Sequence, residues 1–119
     1  MALNMAYRTG SAVSITNTET SLAVDGGSTT LQTMTDDGVY TLFLDGVANM
    51  VKADEYLLKL YETAVGGGTK RVFFELRLKN AQSKPLILPN IMLGVGWDMT
   101  LQRISASSRA FDWSIRRAF

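Results

Sequence analysis

The side chains that most often carry catalysis are missing from this sequence. It contains no histidine and no cysteine, which removes the commonest general base, the commonest transition-metal ligand and the thiol nucleophile. Its serines therefore have no histidine to activate them. A serine–lysine arrangement with Lys84 is conceivable, but no local pattern supports it. We expect a protein that is not an enzyme.

Two acidic pairs are the remaining candidates for metal binding or acid–base chemistry. They are Asp36-Asp37 and Asp54-Glu55, and neither has the loop spacing of a known calcium motif. Aspartate is common in turns because it tolerates the left-handed conformation, so we interpret both pairs as turn residues. The sequence therefore predicts no metal site and no cofactor.

The triple glycine Gly66-Gly67-Gly68 could be read as a phosphate-binding loop. Such a loop requires a following helix and a lysine–serine or lysine–threonine pair. Here Thr69-Lys70 follows in the reverse order, and the next residues have the pattern of a strand. A flexible hairpin tip is therefore the better interpretation, and such a tip could contact a partner.

Period-2 alternation of apolar and polar side chains dominates the chain and indicates half-buried antiparallel strands. It is clearest from Lys70 to Lys79, and residues 55–64 also alternate. The glycines between them permit positive φ, so the two segments predict a long β-hairpin. Within its second strand, four side chains are predicted to share the inward face: Val72, Phe74, Leu76 and Leu78.

A second hairpin is predicted near the C-terminus, from residues 97–102 and 111–116 around a turn at 105–108. Trp97 and Trp113 alternate in register with neighbouring apolar residues, so we expect both in the core, where aromatic side chains supply much of the buried area. The alternative is a surface platform on which sugar rings stack. Pro85 and Pro89 bracket a short apolar segment that suits an edge strand or an extended crossing.

Together these segments predict an all-β protein, a single antiparallel β-sandwich (jelly-roll-like) or small barrel of about eight or nine strands. Residues 1–9 are predicted to form an N-terminal arm and residues 10–119 the single sandwich domain, because a chain of 119 residues fits one domain. The N-terminus lacks the basic and apolar regions of a signal peptide. We expect the protein to be made and released in a cytoplasm, without a membrane contact.

Charge and exposed apolar residues indicate protein partners. The net charge is only +1 and the charged fraction is 19%, below the usual quarter or so, so we expect self-association and no nucleic-acid partner. Phe73 is predicted to project between Arg71 and Glu75, which indicates contact with another chain or cover by a loop of its own chain. The full set of candidate interface residues is Leu3, Met5, Tyr7, Phe73, Arg116 and Arg117.

Two stretches taken together resemble a known class of protein. The first is Asp37-Gly38-Val39-Tyr40-Thr41-Leu42-Phe43-Leu44-Asp45 followed by Asp54-Glu55-Tyr56 and the strand to Tyr61-Glu62. The second is Gly96-Trp97-Asp98-Met99-Thr100-Leu101-Gln102 with Phe111-Asp112-Trp113-Ser114-Ile115-Arg116. The chain resembles small virion structural proteins of tailed bacteriophages in the layout of most of residues 10–117. The resemblance rests on structural motifs and transfers no functional residue.

The resemblance implies a subunit that coats or bridges a capsid or tail in many copies, with other virion proteins as partners. We therefore expect a structural subunit of a bacteriophage virion, assembled in the host cytoplasm as a homo-oligomeric head decoration or minor capsid protein. Head–tail joining and tail roles stay open. The alternative is a non-catalytic binding module for a host surface or a carbohydrate, which would expose a strip of aromatic side chains.

Overall fold

The computed structural model describes residues 7–46, 50–65, 67–80 and 84–117, with only the backbone of Tyr7. These residues form eight strands and no helix, so the described part of the chain contains no helix that could span a membrane. The strands are β1 (Tyr7–Ile15), β2 (Thr20–Ser21), β3 (Gly38–Asp45), β4 (Glu55–Glu62), β5 (Arg71–Lys79), β6 (Leu86–Leu93), β7 (Asp98–Ser105) and β8 (Arg109–Arg117).

The strands form two antiparallel four-stranded sheets with the orders β1-β8-β3-β6 and β2-β7-β4-β5. The first strand therefore pairs with the last, the second with the seventh, the third with the sixth and the fourth with the fifth. This nested pairing is the topology of a jelly roll. The predicted all-β sandwich is confirmed. The segment with Pro89 is the edge strand β6, as one of the two interpretations predicted. Proline has no backbone N–H to donate to a neighbouring strand, and an edge strand tolerates this loss.

The core lies between the two sheets and contains both tryptophans, as predicted. Trp97 is fully buried and Trp113 is 3% exposed. Each indole N–H donates to a backbone carbonyl, that of Trp97 to Asp36 and that of Trp113 to Leu22, both at 3.0 Å. Because both rings are enclosed and hydrogen-bonded, neither tryptophan forms a platform for a sugar.

The predicted β4–β5 hairpin is confirmed, but the alternation predicted along its second strand is wrong. The register pairs Leu60 with Phe74 and Tyr61 with Val72, so Phe73 is an extra residue in a β-bulge. A bulge breaks the strict alternation of side chains. Val72 therefore opposes the outward Tyr61 instead of joining the inward face with Phe74.

The second predicted hairpin is wrong because β7 and β8 lie in different sheets. The connecting residues 106–108 carry the chain from one sheet to the other, and Ala106 adopts a φ of 67° in this connection. Polar and apolar side chains alternate along β7 and β8 as they would in the two strands of a hairpin, because each strand has one face in the same core. Alternation identifies a strand but not its partner.

The first strand begins at Tyr7, so the sandwich starts three residues before the boundary predicted for the N-terminal arm. Tyr7 lies opposite Arg116 and Thr9 lies opposite Ser114. The Thr9 backbone N–H also donates to the Asp25 carboxylate at 2.9 Å. These partners are distant in sequence, which is why the pattern of residues 7–9 alone does not predict their strand.

Candidate interaction surface

The two edge strands β5 and β6 lie at the same side of the sandwich, one in each sheet. Exposed apolar side chains are concentrated on them. Phe73 is 50% exposed and Met92 is 78% exposed, and three further large apolar residues of these strands are also exposed: Val72, Phe74 and Ile87. A concentration of exposed apolar groups at one place is typical of an interaction surface.

Both edge strands are interrupted by a bulge. In β5 the extra residue is Phe73. In β6, Pro89 and Asn90 both oppose Thr41, and Asn90 has a φ of 57°. Bulges and proline at a sheet edge prevent another strand from pairing there. The edge is therefore protected against strand addition while its side chains stay accessible.

Between the two bulged strands lies an apolar cleft of about 260 Å³. Leu60 is only 2% exposed and belongs to both the core and this cleft. The lining residues are Leu60, Phe73, Phe74, Leu88, Pro89 and Ile91. None of these side chains titrates or carries a nucleophile, and such an apolar lining suits the binding of an apolar group.

Charged side chains lie next to the cleft along β5. Arg77 forms an ion pair with Glu55. The side chains of Arg71 and Glu75, on either side of the phenylalanine pair, form no hydrogen bond or ion pair with the described residues. Their charges are therefore available at the rim of an apolar surface, the arrangement found in many protein interfaces.

The predicted interface residues do not form one surface. Phe73 lines the cleft, whereas Arg116 is exposed on the other sheet, where its guanidinium lies 5.7 Å from the centre of the Phe43 ring. Arg117 is half-buried opposite Tyr40. The backbone of Tyr7 is paired with Arg116, and the two remaining predicted residues, Leu3 and Met5, lie outside the described residues.

Two buried carboxylates form closed polar networks away from the cleft. Asp54 accepts hydrogen bonds from the Arg109 Nε at 2.7 Å and from the Val51 N–H at 2.9 Å. The Arg109 hydrogen bond lowers the pKa of Asp54. Arg109 also donates its backbone N–H to the Tyr56 hydroxyl at 2.7 Å. These bonds join the loop before β4 to the start of β8, which is a structural role.

Asp98 is fully buried at the start of β7. It accepts hydrogen bonds from the Ser21 hydroxyl at 2.6 Å and from the Gln32 N–H at 2.9 Å, and Lys70 lies 3.8 Å away. Burial raises the pKa of Asp98, and these donors act in the opposite direction. Because the carboxylate is enclosed and its oxygens are occupied, it holds the β2–β3 connection against the sheet and leaves no room for a substrate.

Two of the aspartates considered as calcium ligands are engaged with arginines. Asp36 pairs with Arg8, and Asp54 pairs with Arg109. Within the described ranges, no group of three or more acidic side chains is placed to hold a metal ion. Asp54 closes a turn by donating its backbone N–H to the Val51 carbonyl at 3.0 Å, whereas Glu55 begins β4, so the interpretation of both acidic pairs as turn residues is only partly correct.

Sequence reasoning selected Phe73 and missed the other residues that line the cleft. One signal was present, since the adjacent Phe73-Phe74 interrupts an otherwise alternating strand. Pro89-Asn90 interrupts β6 in the same way. These two interruptions lie next to each other only because of how β5 and β6 pair within their own sheets. No local sequence pattern predicts that pairing.

Comparison with known proteins gives little similarity. No protein-family model matches the chain, and no curated protein gives a significant match. Among solved structures, the chain is similar to the crystal structure of the Yersinia pseudotuberculosis-derived mitogen, with 18% sequence identity and a TM-score of 0.48. The similarity covers 99% of this chain and 88% of that chain.

Proposed function

We propose that this protein is a structural subunit of a bacteriophage virion, present in many copies as a head decoration or minor capsid protein. The observation that carries the proposal is the apolar β5–β6 edge on an otherwise well-packed jelly roll. A monomer gains nothing from exposing Phe73 to water, whereas a subunit of an assembly buries it against a neighbour. The resemblance to small phage virion proteins supports the same role.

The polar sites also favour a structural role over catalysis. Asp54 and Asp98 are enclosed by hydrogen-bond donors, and the cleft beside Phe73 is entirely apolar. Jelly-roll sandwiches occur in both viral capsid proteins and lectins. The partners that we propose are further copies of this chain and other virion proteins, within a particle assembled in the host cytoplasm.

A second candidate is a non-catalytic binding module for a host surface or a carbohydrate. Two phenylalanines at one cleft, Phe73 and Phe74, are the observation that favours it. Burial of Trp97 and Trp113 argues against sugar stacking on the tryptophans. Under this alternative, the isolated protein binds its ligand as a monomer and is present in few copies.

Virion membership is tested by quantitative mass spectrometry of purified particles from the phage that encodes the chain. We expect peptides of this chain at a stoichiometry of many copies per particle, and labelling of the head by a specific antiserum. Complete absence of the chain from washed particles would refute the proposal. A few copies confined to the tail tip would favour the binding module.

The interaction surface is tested with Phe73→Ser. We expect weaker self-association or particle binding, measured by light scattering and co-sedimentation, because the exposed ring is replaced by a small polar group. Val51→Ser is the matched control, since Val51 is 49% exposed and Phe73 is 50% exposed. Equal effects of both variants would show that the β5–β6 edge has no special role.

A further inference from the structure

We propose that the cleft between β5 and β6 receives Leu3 and Met5 from the N-terminal segment of a neighbouring copy of this chain. The inference rests on the multi-copy subunit proposed above and identifies how the copies join. Residues 1–6 precede the start of β1 at Tyr7. The cleft would bind their apolar side chains, and Phe73 would be covered in the assembled state.

The bulges in β5 and β6 indicate that a partner contacts this edge by inserting side chains. The bulge at Phe73 and the bulge at Pro89–Asn90 disrupt the hydrogen-bonding rows of both edge strands. A partner therefore cannot simply add a strand to β5 or to β6. The space between the strands remains open, so an occupant must place apolar side chains into it.

The chemistry of the N-terminal segment matches this space. Residues 1–6 carry no charged side chain, and Leu3 and Met5 are two residues apart. In an extended segment, two such residues lie on the same face at a separation of about 7 Å. A methionine adapts to irregular apolar gaps. Insertion of both side chains would remove apolar surface from water on both partners.

Chain length argues against insertion into the cleft of the same copy. Tyr7 lies opposite Arg116, Arg116 opposite Thr41, and Thr41 opposite the bulge in β6. Three strand spacings place β6 about 14 Å from Tyr7, and the cleft lies between β6 and β5 of the other sheet. Met5 can extend only about 7 Å from Tyr7, and Leu3 only about 14 Å.

Leu3 and Met5 therefore cannot enter the cleft of their own copy together, because the backbone of Met5 does not reach β6. A neighbouring copy is not subject to this limit, because its position is free to adjust. A contact of this kind is heterologous, since one copy supplies the segment and the other supplies the cleft. Repetition of such a contact generates a ring or an extended array, as a multi-copy virion subunit requires.

The test uses the absence of natural cysteines. One preparation of the full chain carries Asn4→Cys, and a second carries Val72→Cys, so that Leu3, Met5 and every lining residue of the cleft are retained. The two preparations are mixed and treated with a short bis-maleimide cross-linker. We expect a cross-linked dimer that contains one chain of each kind. Val51→Cys replaces Val72→Cys in the control, which should lose this product.

The anchors are tested within the same experiment. Leu3→Asp with Met5→Asp, added to the Asn4→Cys chain, should reduce the cross-linked dimer by at least about tenfold, because two apolar contacts are lost. The melting temperature of the doubly substituted chain should match that of the Asn4→Cys chain, which checks that the sandwich is retained. An unchanged yield would overturn the role of Leu3 and Met5.

Other occupants give different products. Efficient cross-linking of Val72→Cys chains with each other would show that two β5–β6 edges meet directly. Efficient internal linkage in a chain with both cysteines, without dimers, would show that the segment binds its own copy. Either result would overturn the inference, as would self-association without any cross-link. Absence of the chain from virions would instead refute the proposed function.

Discussion

Gly10 and Trp113 provide a sharp test of how β1 packs on β8, because the two residues are opposite each other in one sheet and Gly10 lies directly against the indole ring. A Cβ atom added at Gly10 would lie 2.3 Å from the nearest ring carbon of Trp113. Such a contact is too short, so either β1 or the ring must move in Gly10→Ala. Overpacking of this kind costs about 1–3 kcal/mol. Removal of the ring in Trp113→Ala should cost about 3–5 kcal/mol.

The two substitutions should be strongly coupled. In the Trp113→Ala background the obstacle is gone, so Gly10→Ala should cost less than about 0.5 kcal/mol, and the coupling free energy should be about 1–3 kcal/mol. Equilibrium unfolding in urea, followed by tryptophan fluorescence, measures each free energy of unfolding, since Trp97 is present in every variant. Ser14→Ala is an exposed control on β1 and should change stability by less than about 0.5 kcal/mol.

Equal costs of Gly10→Ala in the two backgrounds would refute the packing of the indole on Gly10. A small cost of Trp113→Ala would refute the assignment of Trp113 to the core. The two results can be distinguished. If the Trp113 ring is buried but packs away from Gly10, Trp113→Ala still lowers the free energy of unfolding strongly, but it shows no coupling with Gly10→Ala.

The hydrogen bond from Arg109 lowers the pKa of Asp54 from its ordinary value of 3.8. The ionised carboxylate therefore stabilises the fold above about pH 4. This stability is lost as the pH falls through the folded-state pKa of Asp54. Asp54→Asn should therefore lower the free energy of unfolding by about 1.5–3 kcal/mol at neutral pH and weaken its dependence on acid; an unchanged pH profile of urea unfolding would contradict this. Dialysis against a chelator should leave the melting temperature unchanged, because Asp36 and Asp54 are paired with arginines; a drop that calcium restores would contradict this. Deletion of residues 1–6 should leave the melting temperature nearly unchanged and weaken self-association, whereas deletion of residues 1–8 also removes the Arg8–Asp36 ion pair and should destabilise the fold; equal melting temperatures of the two truncated chains would contradict this.

Several features of the fold were predictable because they depend on local pattern. Alternation between polar and apolar residues identifies strands wherever one face is buried, and the glycines before β5 identify the hairpin turn. The burial of Trp97 and Trp113 follows from their register with apolar neighbours. Each of these predictions needs only residues that are close together in sequence.

The candidate surface was only partly predictable. Phe73 stood out because it breaks the polar face of an alternating strand, but its true environment depends on a bulge that shifts it relative to Leu60. The remaining lining residues come from β4, β5 and β6, and their proximity depends on two separate sheets. Leu88 and Ile91, for example, have no sequence signal that relates them to Phe73.

The sequence by itself determined that this protein is all-β, that Trp97 and Trp113 belong to its core and that it contains no histidine and no cysteine. These properties follow from residue types and from their period along the chain. Only the tertiary structure decided which strands pair, and thereby that β7 and β8 separate into different sheets and that β5 and β6 form one open edge. The physical reason is that strand pairing uses backbone hydrogen bonds, which every residue except proline can donate and accept, so partner choice depends on how the whole chain packs.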